Sequence, residues 1–290
     1  MSFSVNLRGR AVEFAGPAVM AIVNVTPDSF YAGARNGDAA TIERALAEGA
    51  DIIDLGAYST RPGAPEVSVE EEWRRLRPAL QAVRRLNGDV PVSIDTFRAE
   101  IARRALAEGA DIINDISGGM MDADMDAVIA EARAPYIIMH TRGTPATMQS
   151  LTDYSAEGGV TAEVIRFLAR RIDELAGKGV KDIIVDPGFG FAKTVEQNYE
   201  LLRELPLVVD TLRRPLLAGL SRKSMFYKPM GLTPAGVLPA TCAAHLAALQ
   251  AGASILRVHD VAAAKQVVSV FEWTTDSGQW TTDGLKVKNC

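Results

Sequence analysis

RALAEGADII stands at residues 44–53 and again, letter for letter, at 104–113. The first copy runs into DLGAYSTRPG (54–63) and the second into NDISGG (114–119). Ala, Leu, Glu and Arg favour helix, the Glu-Gly pair ends it because glycine accepts the left-handed conformation of a helix C-terminus, and Ala-Asp-Ile-Ile opens an apolar strand. Helix, tight turn and strand make half of a βα unit. An offset of 60 residues holds two such units of about 30 residues each. The polar clusters then fall at the carboxyl ends of strands, where the chemistry of such folds gathers.

Outward from the repeat, short apolar runs alternate with longer Ala/Leu/Arg/Glu segments from Val19 to Trp273. Strands are predicted near 18–24, 50–55, 91–95, 110–114, 135–140, 181–186, 215–219 and 254–258. Helices are predicted at 38–49, 69–86, 98–108, 123–132, 157–177, 195–204, 236–251 and 261–273. Strands that are apolar throughout, each followed by a helix, belong to a parallel sheet covered on its outer face. Eight such units predict an α/β protein, a (β/α)8 TIM barrel, as one domain spanning 1–290. Ahead of the first strand, VNLRGRAVEF (5–14) reads as a β-hairpin turning at Arg8 to Arg10 and closing the bottom of the barrel.

A net charge of −5, a pI near 5.4 and no Lys/Arg block longer than two exclude a nucleic-acid surface. MSFSVNLRGRAVEF lacks the apolar stretch of a signal peptide, and no run approaches the roughly 20 residues of a membrane span. A cytoplasmic enzyme with no membrane partner is expected. Cys242 and Cys290 cannot build a disulfide framework or a thiolate metal site; Cys242 reads as core and Cys290 as a terminal thiol.

Nearly every predicted strand ends in a polar residue: Asn24, Asp54, Asp95, Asn114, His140 after Met139, Asp186, and Arg257 with His259, with Gly219 at the seventh. The loops after strands seven and eight often hold phosphate in such barrels, and here they carry Arg222, Lys223, Ser224, Arg257 and His259, which Arg61 can join from loop two. Guanidinium forks, a mobile ammonium and hydroxyls together suit a phosphorylated substrate. Asp95, Asn114 and Asp186 suit a flat heterocycle rich in N–H donors, since a carboxylate accepts two parallel hydrogen bonds. Without His-rich or Cys-rich motifs, Mg²⁺ is the metal that fits, held mostly by phosphate oxygens and water.

NVTPDSF (24–30), DIIDLGAYSTRPG (51–63), SIDT (93–96), INDISGG (113–119), DPGFGFAK (186–193), GLSRKSM (219–225) and RVHD (257–260) occur in an order that resembles the dihydropteroate synthases, over about Met20 to Val261. The resemblance implies transfer of a dihydropterin methylene from its pyrophosphate ester to p-aminobenzoate, giving dihydropteroate and pyrophosphate in folate synthesis. It also implies sulfonamide inhibition and a homodimer formed through the late helices. By position, Asp95, Asn114, Asp186 and Lys223 would hold the pterin, beside Met139 and Gly219. Asn24, Arg61, Arg257 and His259 would hold the pyrophosphate, with Asn24 also serving Mg²⁺. Thr60, Arg61, Pro62, Phe191 and Ser224 would shape the p-aminobenzoate pocket. By the same resemblance, Lys223, Arg257, His259, Asp28 and Arg61 would form the catalytic set.

Loop one departs from the family pattern: Tyr31-Ala32-Gly33-Ala34 stands where a small residue and Asp-Gly-Gly are usual, leaving Asp28 and Phe30 to close the loop. Taken singly, the motifs have plainer readings. Asp95-Thr96 can cap the next helix, Asp186-Pro-Gly and Arg61-Pro-Gly can be turns, His140 and His245 can be structural, and Arg222-Lys223 can lie on a solvated face. Two rival functions stay open. A pterin-dependent methyltransferase barrel has no need of the RKS and RVHD cations, and a non-catalytic pterin-binding paralogue would be marked by a broken phosphate site.

Overall fold

The computed structural model describes residues 2–25, 35–58, 67–144 and 146–275. A hairpin of β1 (Phe3–Leu7) and β2 (Arg10–Phe14) precedes the barrel strands β3 (Ala18–Asn24), β4 (Ile52–Gly56), β5 (Val92–Asp95), β6 (Ile112–Asp115), β7 (Tyr136–Met139), β8 (Ile183–Asp186), β9 (Leu217–Ala218) and β10 (Ile255–Val258). The helices are α1 (Arg35–Ala47), α2 (Val69–Leu86), α3 (Ala99–Ala107), α4 (Met125–Ala132), α5 (Val160–Gly177), α6 (Val195–Arg203), α7 (Leu205–Leu212), α8 (Ser224–Met230), α9 (Leu238–Gln250) and α10 (Val261–Thr275). All barrel strands are parallel, in the hydrogen-bonded order β8-β7-β6-β5-β4-β3-β10-β9. The bridge between Val185 and Leu216, with Val185 N–H donating to Pro215 O at 2.9 Å, joins the two ends into a closed ring.

Prolines set the strand starts. Ile53, Ile113 and Val185 donate to the carbonyls of Pro91, Pro135 and Pro215; a proline has a carbonyl to offer but no N–H, so the ladder of its own strand starts after it. Proline also explains a departure from the predicted helices. The helix predicted at 195–204 is α6, but a second helix absent from the prediction, α7, follows it directly; Pro206 sits in its first turn, where the missing N–H costs nothing. The short α8 is the other addition, making ten helices among the described residues against eight expected.

The hairpin closes the bottom as expected. Its turn places Arg8 at φ 49° and Gly9 at φ 82°, the paired positive values that a two-residue turn with matching twist requires. Val5 and Leu7 then pack against Ala18, Met20, Ile52, Ile112, Ile137, Ile184, Leu217 and Ile255, all near strand starts. Burying each large aliphatic side chain there contributes about 1.5–3 kcal/mol. A second apolar layer between strands and helices runs round the ring, from Val19 and Ile53 to Val268 and Phe271. With one end plugged by the hairpin, the carboxyl ends of the strands form the opposite mouth.

Candidate active site at the carboxyl mouth

Arg257, near the end of β10, lies across the mouth between carboxylates of two other strands. Its Nε donates to Asp54 Oδ2 at 2.7 Å and its Nη2 to Asp95 Oδ2 at 2.6 Å. Asn114 Nδ2 reaches the same Asp54 oxygen at 3.3 Å. Asp54 and Asn114 are buried, while Asp95 and Arg257 are partly open to the mouth. Burial opposes the charge of Arg257, but Asp54 and Asp95 outweigh it and hold its pKa above the ordinary value. Burial pushes the Asp95 carboxyl up to about 7 despite Arg257, with the Asp54 charge adding to the rise.

Asp186 ends β8 and stands beside Met139 of β7 in the register. Its Oδ1 accepts from Gly188 N–H at 2.7 Å, and burial raises its pKa. The bare Gly219 backbone leaves its Oδ2 uncovered on that side; even an added Cβ would come no nearer than 3.7 Å. Lys223 completes this wall: its Nζ donates to Phe189 O at 2.7 Å and lies 4.5 Å from the centre of the Phe191 ring. Burial lowers its pKa to about 8, against the pull of Asp186.

The neighbouring Arg222 has a different fate. At φ 54° the backbone turns its side chain away, and it forms a two-pronged pair with Asp260 at 2.7 and 2.8 Å while donating to Pro234 O and Ala235 O. Arg222 therefore ties the loop after β9 to the start of α10, and Lys223 alone of the pair faces the mouth beside Asp186. His259 is exposed at the rim, its Nδ1 2.9 Å from Ser221 Oγ. Asn24 is exposed at the end of β3, and Ser224 is half-buried at the start of α8.

The fold thus gathers Asn24, Asp95, Asn114, Met139, Asp186, Phe191, Gly219, Lys223, Ser224, Arg257 and His259 at one end of the barrel. Asp28, Thr60, Arg61 and Pro62, with the departure at Tyr31 and Ala32, lie outside the described residues. Asp95 does not cap the following helix; Thr96 Oγ1 accepts from Arg98 N–H and Asp122 Oδ2 from Ala99 N–H. His140 is buried, and Cys242 is half-buried rather than core.

Three carboxyl-end residues take larger parts than the sequence reading assigned. Asp54 is the partner of Arg257. Asp115, next to Asn114, accepts from Ser117 N–H, Ser117 Oγ, Gly119 N–H and Tyr136 OH, and so fixes the loop after β6. Lys193 is buried against His140 and two loop carbonyls. Each lies within a motif quoted above, but only contacts distant in sequence reveal what it does.

Residues 20–259 match the family model described as pterin binding enzyme. A dihydropteroate synthase of Synechocystis is 47% identical over 259 residues, covering 87% of this chain and 88% of that protein. The structure resembles that of Xanthomonas albilineans dihydropteroate synthase with 4-aminobenzoic acid, with a TM-score of 0.86, 38% identity, and 96% and 100% of the two chains covered. It also resembles Burkholderia cenocepacia dihydropteroate synthase complexed with 7,8-dihydropteroate, with a TM-score of 0.83, 42% identity and coverage of 93% and 96%.

Proposed function

The chain belongs to the pterin binding enzyme family and, within it, to the dihydropteroate synthases, and on that premise we propose that its barrel mouth condenses 6-hydroxymethyl-7,8-dihydropterin pyrophosphate with p-aminobenzoate. The products are 7,8-dihydropteroate and pyrophosphate. The observation that carries this reading is the cluster of Arg257, Asp54, Asp95 and Asn114 facing the Asp186–Lys223 wall. It offers acceptors for the N–H edge of a pterin and fixed cations for an anionic leaving group in one mouth.

In the reaction the bond from the pterin methylene to the pyrophosphate oxygen breaks, a bond from the methylene to the aniline nitrogen forms, and the amine loses a proton. Negative charge grows on the leaving oxygen while the ring spreads positive charge from the methylene. Asp95, Asn114 and Asp186 hold and orient the pterin, with Met139 and the bare Gly219 backbone shaping its slot. Lys223 stands beside Asp186 on the same wall. Arg257 and His259, with Arg61 and Asp28 from the loops, serve the pyrophosphate side; Phe191, Ser224, Thr60 and Pro62 shape the p-aminobenzoate side. Groups held by the fold in advance stabilise developing charge without reorganising, and placing the amine in line removes much of the entropic barrier.

Mg²⁺ fits this mouth as an ion that arrives with the pyrophosphate. Asn24 presents a hard amide oxygen at the rim, and among the described residues no cluster of three His, Cys, Asp or Glu is arranged for a metal. Bound there, the ion would neutralise charge on the leaving group. Sulfonamides, as p-aminobenzoate mimics, are inhibitors on this reading. Exposed Val270 and Trp273 on α10 support a homodimer through the late helices, and the free Cys242 suits a reducing cytoplasm. Among the described residues no single helix is long and apolar enough to cross a membrane.

The test is pyrophosphate release from dihydropterin pyrophosphate and Mg²⁺, with and without p-aminobenzoate and a sulfonamide. Release should require p-aminobenzoate, fall with the sulfonamide, and drop at least about a hundredfold in Lys223→Ala. Pterin binding without turnover would instead favour a non-catalytic paralogue.

A further inference from the structure

Five consecutive carbonyls in the loop after β8 are each held by a side chain. Lys193 Nζ donates to Gly188 O at 2.9 Å and to Phe191 O at 3.1 Å, Lys223 Nζ to Phe189 O at 2.7 Å, Gln149 Nε2 to Gly190 O at 3.5 Å and Tyr154 OH to Ala192 O at 2.9 Å. Lys193 is buried and makes two further contacts, 3.0 Å to His140 Nδ1 and 3.5 Å to His140 O. Its three N–H groups are shared among four acceptors, and because an ammonium has no lone pair to accept with, Nδ1 of His140 is an acceptor and the ring proton sits on Nε2. The loop is also pressed against the end of β7: at Gly188, φ +74°, a Cβ would stand 2.0 Å from His140 O.

A buried ammonium without a carboxylate in contact is costly, and an apolar side chain of similar volume would fill the same space more cheaply. The ammonium adds a tie that an apolar filler lacks. Gly188 and Phe191 flank Phe189 and Gly190, so holding both carbonyls fixes the Phe189 carbonyl that receives Lys223 and the Phe191 ring beneath it. We propose that Lys193 is a positioning residue for the condensation, holding the loop against His140 so that Phe191 and Lys223 are presented together. This rests on the reading of the mouth as a synthase site.

Titration supplies a second handle. The charged or titratable groups facing Lys193 are His140 at the end of β7, Asp186 of β8, Lys223 after β9 and Arg142 in the loop that follows β7. Burial lowers the Lys193 pKa to about 7, against the pull of Asp186. Once deprotonated, the amine keeps two N–H groups for the same four acceptors, and its hold on the loop loosens.

Steady-state kinetics across pH 6 to 8, with circular dichroism to verify folding, on wild type, Lys193→Met, Lys193→Arg and His140→Phe test this. Lys193→Met should raise KM for p-aminobenzoate about tenfold with a smaller change in kcat, and Lys193→Arg should recover part of that loss. Wild-type KM should climb above about pH 7, and the climb should shrink in Lys193→Met, what remains belonging to Asp95 and Lys223. His140→Phe keeps a ring and removes one acceptor, and about a threefold rise is expected. A folded Lys193→Met with wild-type KM and pH profile overturns the proposal; if that variant does not fold, an unchanged KM in His140→Phe does so. Absence of wild-type turnover overturns the synthase reading and this proposal with it, whereas wild-type turnover with unaffected variants overturns this proposal alone.

Discussion

The two copies of RALAEGADII fold alike and then part. In both, the helix closes on a left-handed glycine, Gly49 at φ 90° and Gly109 at φ 100°, and Ala50 and Ala110 each donate back to the carbonyl five residues earlier at 2.9 Å. In both, the aspartate accepts a backbone N–H from the preceding barrel strand at 2.7 Å: Val19 to Asp51 and Val92 to Asp111. The surroundings then differ. Asp51 is a third exposed and meets Lys265 at 3.0 Å, whereas Asp111 is fully buried between Arg84 and Arg8. Three residues further on, the copies supply Asp54 and Asn114, which face each other at 3.3 Å in the mouth. One repeated segment thus builds the lower rim twice, and the divergent residues beyond it build the site.

The sharpest break is at the divergent end. Asp54→Ala leaves Arg257 with Asp95 alone and should lower stability by about 3–5 kcal/mol in urea unfolding. Its turnover should fall below about one hundredth of wild type. At the repeated end, Asp111→Ala exposes two arginines to the loss of a buried partner and should cost about 3 kcal/mol. Asp51→Ala, a third open to water, should cost about 1 kcal/mol. Equal losses for those two would contradict the difference in burial. The smallest effects should come from Gly49→Ala and Gly109→Ala. An added Cβ would meet Lys265 and Arg84 at ordinary distances of 3.6 and 3.7 Å. Only left-handed strain is left, about 1 kcal/mol in each, and thermal unfolding should show matching shifts.

Much of this was legible in the chain. The repeat and the alternation of apolar runs with helical segments specify a closed parallel ring, and Arg8-Gly9 specifies the hairpin turn, because these are local patterns with local causes. The end of α6 was legible, but α7 was not, because LPLVVDTL is short and rich in β-branched residues that do not favour helix. The site was legible as a set of strand ends and less so as a set of contacts. Arg257 and Asp54 are 203 residues apart, and only ring closure brings them together. Arg222 and Lys223 look equivalent as neighbours, yet one positive φ sends them in opposite directions. Aligning the two copies was a signal within reach, since it sets Asp54 against Asn114 at the same offset of 60.

The most direct test is equilibrium titration of dihydropterin pyrophosphate into wild type, Asn114→Ala, Asp54→Asn, Asp51→Ala and Asp111→Asn, followed by fluorescence. Both mouth variants should bind at least about tenfold more weakly, and both lower-rim variants, checked for folding, should bind as wild type does. Equal weakening at both ends, or full affinity in Asn114→Ala and Asp54→Asn, would contradict a pterin site built where the two copies diverge.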